Sequence, residues 1–185
     1  MAFEDPYDVQ NPTDGDDILS AYGDILRQDA LAAIAPPIIR VRLNATQSIP
    51  HDTLTKIDWA LVTLSSGHAG MFDLGAPDRI VWPSGWPSHA LVGAKVRWAT
   101  STLGTRRYCE IQVNGSGVKV DDDESPQSAS GYASNTICAP WLPESGDYFS
   151  LWAYQDTGSN LDVILDGYAG TGLWFAFQSL KGFTG

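Results

Sequence analysis

The sequence predicts a mainly β chain, an antiparallel sandwich or jelly roll carrying a short N-terminal arm and helix. Three observations predict it. Eleven Pro, 18 Gly and seven Trp in 185 residues favour short strands and tight turns over a helical bundle. After residue 36 the apolar pattern has period two, with no long amphipathic helix between the runs. The runs recur at the regular short spacing of an all-β sandwich or jelly roll. At this length one full-sized core plus an appendage is expected.

The appendage comes first. Residues 1–13, with Pro6 and Pro12 and little to bury, read as an extended arm that orders against a partner. From Thr13 to Ile34 the spacing turns helical: Leu19, Tyr22, Leu26, Ala30 and Ala33 recur at three and four, and Thr13 with Asp16 resembles a capping box. Asp14, Asp16 and Asp17 suit the positive end of the helix dipole. Pro36 and Pro37 stop the helix and form a joint, so the expected division is 1–36, arm and helix, and 38–185, β-domain. The narrow stripe of Leu19, Tyr22 and Leu26 packs either on its own sandwich or on sister helices and a docking surface.

Beyond the joint, nine strands are expected at 38–43, 57–64, 90–99, 106–113, 117–121, 132–139, 147–155, 161–166 and 173–180. Asn114-Gly115 is the signature of a tight hairpin turn. The insertion 66–88, rich in Gly and Pro and bearing Trp82 and Trp86, reads as an aromatic loop at one end of the sandwich. In 147–155, Phe149, Leu151 and Ala153 share one face, while Tyr148, Ser150, Trp152 and Tyr154 share the other. A strand with bulk on both faces implies either burial of its second face against another subunit or an unusually thick core in one chain.

Charge excludes one class of partner. A net −11 leaves no basic surface for phosphate neutralisation, so nucleic acid binding is not expected. Residues 1–36 carry eight Asp or Glu against the single Arg27, a net −7, leaving −4 for the rest. No apolar stretch approaches the length of a membrane span, and the first residues lack a basic-then-apolar leader, which predicts a soluble chain made in a cytosol with no membrane partner. Cys109 and Cys138 lack metal-ligand spacing and read as reduced core residues, or alternatively as a single bridge.

The order of motifs from 38 to 180 resembles the jelly roll of tumour necrosis factor (TNF) and the complement-q head, in the form carried by structural proteins of tailed bacteriophages. The residues carrying the resemblance are the opening strand IIRVRLNATQSIP; Val96, Trp98 and Ala99; Arg107, Ile111, Val113, Asn114 and Gly115; and Gly146, Asp147 and Tyr148 with Tyr154 and Gln155. Residues 1–36 are similar to the short anchoring segments of phage minor structural proteins. The resemblance implies a homotrimer in which aromatic residues of outer strands bury one another, here Tyr148, Trp152 and Tyr154. It departs from the family pattern at Ser88-His89-Ala90, where a Gly-x-Tyr is usual, and in the length of the 66–88 loop.

Chemistry-bearing residues are few. The run Asp121-Asp122-Asp123-Glu124 lacks the glycine and alternate spacing of a dedicated calcium loop and reads as a solvated hairpin end guarding a sheet edge. His51, His68 and His89 sit in no nucleophile motif, and no local context selects a pair of glycosidase carboxylates, so no catalytic residue, metal or cofactor is expected. Trp82, Trp86, Trp141 and Trp152 point to sugar recognition, where aromatic faces supply area and polar groups orientation, or else to closure of the sandwich end or the subunit interface. Asp78, Arg79, Trp82 and Trp86 are the candidate ligand residues. The expected protein is a non-enzymatic virion surface component of a tailed phage, trimeric, attached to other virion proteins through 1–36. It is either an adhesin for host surface glycans at a tail tip or fibre, or a capsid decoration or head-fibre protein.

Overall fold

A computed structural model describes residues 38–66, 71–82, 90–126, 133–165 and 171–177, all within the unit Pro36–Gly185. The expected arm and helix, with Leu19, Tyr22 and Leu26, lie outside the described residues, as do Trp86, His68 and His89. Among the described residues no helix is long and apolar enough to cross a membrane.

Among the described residues twelve strands follow in order: β1 (Ile38–Arg42), β2 (Gln47–Ile49), β3 (Thr55–Lys56), β4 (Leu61–Ser66), β5 (Ile80–Val81), β6 (Ala90–Arg97), β7 (Arg106–Val113), β8 (Val118–Pro126), β9 (Ser134–Trp141), β10 (Tyr148–Gln155), β11 (Leu161–Val163) and β12 (Gly172–Phe177). One sheet runs β4-β1-β12-β6-β9 and the other β3-β10-β7-β8, with β5 also on β10 and a small β11-β2 ribbon beside them. The first and last strands pair, Ile39 opposite Phe175, and the chain passes from sheet to sheet between β6 and β7, β8 and β9, and β9 and β10. Such non-consecutive antiparallel neighbours make a jelly-roll sandwich.

Alternation explains which residues meet between the sheets. β1 and β6 turn Ile39, Val41, Ala90, Val92, Ala94 and Val96 inward; β7 and β10 answer with Cys109, Ile111, Val113, Phe149, Leu151 and Ala153. Trp59, Trp82 and Trp98 join this core. Between β7 and β8, where Val113 faces Val118 across a four-residue loop, Asn114 and Gly115 have φ of 55° and 58° and Ser116 N donates to Val113 O at 3.2 Å, a tight turn whose two central residues both need positive φ. A polar tie crosses the core as well. Asn135 of β9 is fully buried, its Oδ1 accepting from Trp98 Nε1 at 2.7 Å and its amide facing Arg107 O at 3.0 Å and Ser125 Oγ at 3.0 Å in the opposite sheet.

Some expectations change. The strand expected at 117–121 continues to Pro126, so the acidic run lies along β8, the edge strand of its sheet, rather than at a hairpin end. There Asp123 Oδ2 accepts from Thr136 N at 3.0 Å and Glu124 pairs with Arg106 at 2.8 Å. The strand expected from residue 57 starts at Leu61, and the 66–88 insertion contains β5. Both cysteines are free; Cys109 is a core residue, but Cys138 faces outward on β9 and is exposed.

Candidate interaction face on the β10 sheet

Turning Phe149, Leu151 and Ala153 inward forces Tyr148, Ser150, Trp152 and Tyr154 onto the face away from the core. Register sets Gln112, Glu110 and Tyr108 of β7 beside Ser150, Trp152 and Tyr154. The other edge of β10 is shared end to end: β3 places Lys56 opposite Trp152, and β5 places Val81 opposite Tyr148. Two short strands thereby bring Lys56, Asp78 and Arg79 to one stretch of sheet.

Each ring on this face carries a cation. Lys56 Nζ lies 5.1 Å from the Trp152 ring centre, the Arg79 guanidinium 4.9 Å from Tyr148, that of Arg106 5.5 Å from Tyr154, and Lys119 Nζ 5.1 Å from Tyr108. Trp152 Nε1 donates to the fully buried Ser150 Oγ at 3.1 Å, which fixes the indole along the strand. Asp78 joins the first two pairs: Lys56 donates to its Oδ2 at 2.7 Å, and Arg79 Nε stands 3.7 Å from its Oδ1. The Lys56 bond, with both cations nearby, outweighs burial and holds the Asp78 carboxyl below its ordinary value.

Glu110, the cross-strand partner of Trp152, is buried, yet it is fully partnered. Lys119 lies at 2.8 Å, Gln112 Nε2 donates to one oxygen, and Tyr108 donates to the other while itself accepting from Lys119. Burial opposes the charge, but these donors outweigh it and keep the carboxyl below its usual range. The Tyr108 hydroxyl is pushed up, by burial first and by Glu110 second. At the far end Tyr154 donates to Asp52 at 2.6 Å, which raises its own titration.

Of the four residues expected to bind ligand, the structure brings Asp78 and Arg79 together with Tyr148 and Trp152. Trp82 does not join them. It is 1% exposed, its backbone bonded to Asp147 O at 2.6 Å and to Gly146 N at 3.1 Å, so it closes the sandwich and presents no ring to a ligand. Lys56, Ser150 and Glu110 carry no local signal, since Lys56 precedes Asp78 by 22 residues and meets it only through β10. His51 Nδ1 accepts from Gly158 N at 3.0 Å, with no nucleophile in that bond. Among the described residues no group of three or more His, Cys, Asp or Glu could hold a metal.

No family model and no curated protein sequence matches the chain. Solved structures do match. Murine APRIL at pH 5.0 aligns with TM-score 0.57 and 13% identity over 77% of this chain and 98% of that one. The pH 8.5 structure of murine APRIL gives 0.55 and 12% over the same shares. Eiger TNF from S. frugiperda gives 0.51 and 7% over 77% and 91%. The fold is a TNF-like jelly roll. In this TNF-like jelly roll, residues that carried the sequence resemblance hold structural positions: Trp98 anchors Asn135, and buried Gln155 bonds Ile49 O at 2.9 Å, Ser159 O at 2.8 Å and Thr157 N at 2.7 Å.

Proposed function

We propose that this chain is a non-enzymatic surface protein of a tailed-phage virion. Its TNF-like knob assembles as a homotrimer, residues 1–36 attach it to other virion proteins, and the knob adheres to a host surface glycan from the tail tip or a fibre. The observation that carries the proposal is the TNF-like jelly roll spanning 77% of the chain, on which the phage-like motif series falls in order. The trimer follows from the fold by likeness, and the attachment role from the acidic, Pro-bounded segment that precedes it.

Immunoelectron microscopy of intact particles with antibody to 38–185 tests it. Label at the tail tip or fibres supports adhesion, and label over the capsid favours the decoration or head-fibre role. Absence from particles that package the encoding genome overturns the virion assignment. Deleting residues 1–36 should leave a folded knob that no longer enters particles.

A further inference from the structure

We infer that the β10 sheet face, and not the Trp82 side of the insertion, is the ligand platform, and that its ligand is a neutral glycan. The inference rests on the adhesive function proposed above and names its site and ligand class. Three observations carry it: the fixed pose of Trp152, the paired polar groups around it, and the spacing of Trp152 from Tyr148 on one strand. Trp152 is half-buried, pinned in orientation by Ser150 and capped by Lys56 Nζ over its ring, so a ligand meets the indole and the ammonium in a fixed pose without the entropy loss of ordering them on binding. Around it stand donors and acceptors already fixed in pairs: Lys56 with Asp78, Arg79 with Asp78, Lys119 with Glu110 and Asp122.

That pairing selects the ligand. Lys56 and Arg79 share Asp78, and Lys119 faces Glu110 and Asp122, so three cations meet three carboxylates and the platform as a whole has no excess positive charge for an acidic ligand. What remains is what vicinal hydroxyls recognise: carboxylate oxygens that accept, ammonium and guanidinium groups that donate, and an aromatic plane for the C–H face of a pyranose. Trp152 and Tyr148 are four residues apart on one strand, about 13 Å, which seats about two or three linked sugar rings between them. Asp78, touching both Lys56 and Arg79, lies between the two rings' cations and reads the middle of such a chain.

The full-length protein is applied to immobilised neutral hexose and N-acetylhexosamine oligosaccharides, with sialylated and phosphorylated counterparts alongside. Wild type should bind neutral probes in preference. Trp152→Ala should weaken that binding at least about tenfold, Trp152→Phe less, and Asp78→Asn, which keeps the side-chain shape, should weaken it with unchanged thermal unfolding. The mass of each variant is measured in parallel. Undiminished binding in Trp152→Ala and Asp78→Asn overturns the platform while leaving adhesion standing. Preference for acidic probes overturns the ligand class, and no binding by wild type overturns adhesion itself. If Trp152→Ala falls to the mass of one chain, the face is a contact between copies and the inference is wrong.

Discussion

Replacing Asn135 by Ala should be among the most damaging single changes in the domain. The side chain is fully buried and joins β9 to β7 and β8 across the core. Its loss orphans Trp98 Nε1, an indole donor that is itself buried and has its 2.7 Å bond only here among the described residues. It also strips a donor from Arg107 O and Ser125 Oγ. An orphaned buried donor costs about 1–3 kcal/mol, and the cavity left by the amide adds to it, so about 3–5 kcal/mol is expected in all. Urea unfolding of the full chain, read at the transition midpoint, measures this. The decisive control is Trp98→Phe, which removes the indole N–H: in that background Asn135→Ala should cost about 1–3 kcal/mol less, because no indole donor is then orphaned. A loss under about 1 kcal/mol would refute the cross-sheet tie, and an equal loss in both backgrounds would refute the share assigned to the Trp98 bond.

Asp156 makes stability acid-sensitive beside this tie, at the start of β7. Burial opposes its charge, but Thr105 Oγ1 at 2.6 Å and the backbone N–H groups of Thr105 and Arg106 at 2.7 and 2.8 Å bring its carboxyl down from 3.8 to about 2. A lowered folded value gives stability that is present above pH 3.8 and lost as pH falls toward 2, so urea midpoints should drop across that window in wild type and flatten in Asp156→Asn. Gly104→Ala should destabilise the same clamp by about 1–3 kcal/mol, since Gly104 has φ of +75° and a Cβ there would lie 2.8 Å from the Asp156 backbone carbon. Trp82→Ala should lower stability by about 3–5 kcal/mol, with any loss of glycan binding tracking the unfolded fraction, because the ring is core.

The long strands were legible because period two and the Asn114-Gly115 turn are local signals, and a half-buried sheet enforces both. The short strands β2, β3 and β5 were not, since two or three residues cannot display an alternation. Trp82 illustrates the consequence. With β5 unseen, a Trp amid Gly and Pro reads as loop-borne and exposed, whereas pairing of Ile80 and Val81 with β10 draws it inward. The platform was half legible: Tyr148 and Trp152 stood out as bulk on the second face of their strand, and Asp78 and Arg79 as polar neighbours of the insertion's Trp residues. That these two sets adjoin depends on β3 and β5 sharing one edge of β10, a tertiary fact with no trace in spacing.

Whether the knob works as three copies is tested most directly by the mass in solution. Light scattering on the full-length protein at micromolar concentration should give three times the 20.0 kDa of one chain. A single 20.0 kDa species under those conditions would contradict the trimeric knob and, with it, the avidity on which weak glycan attachment depends.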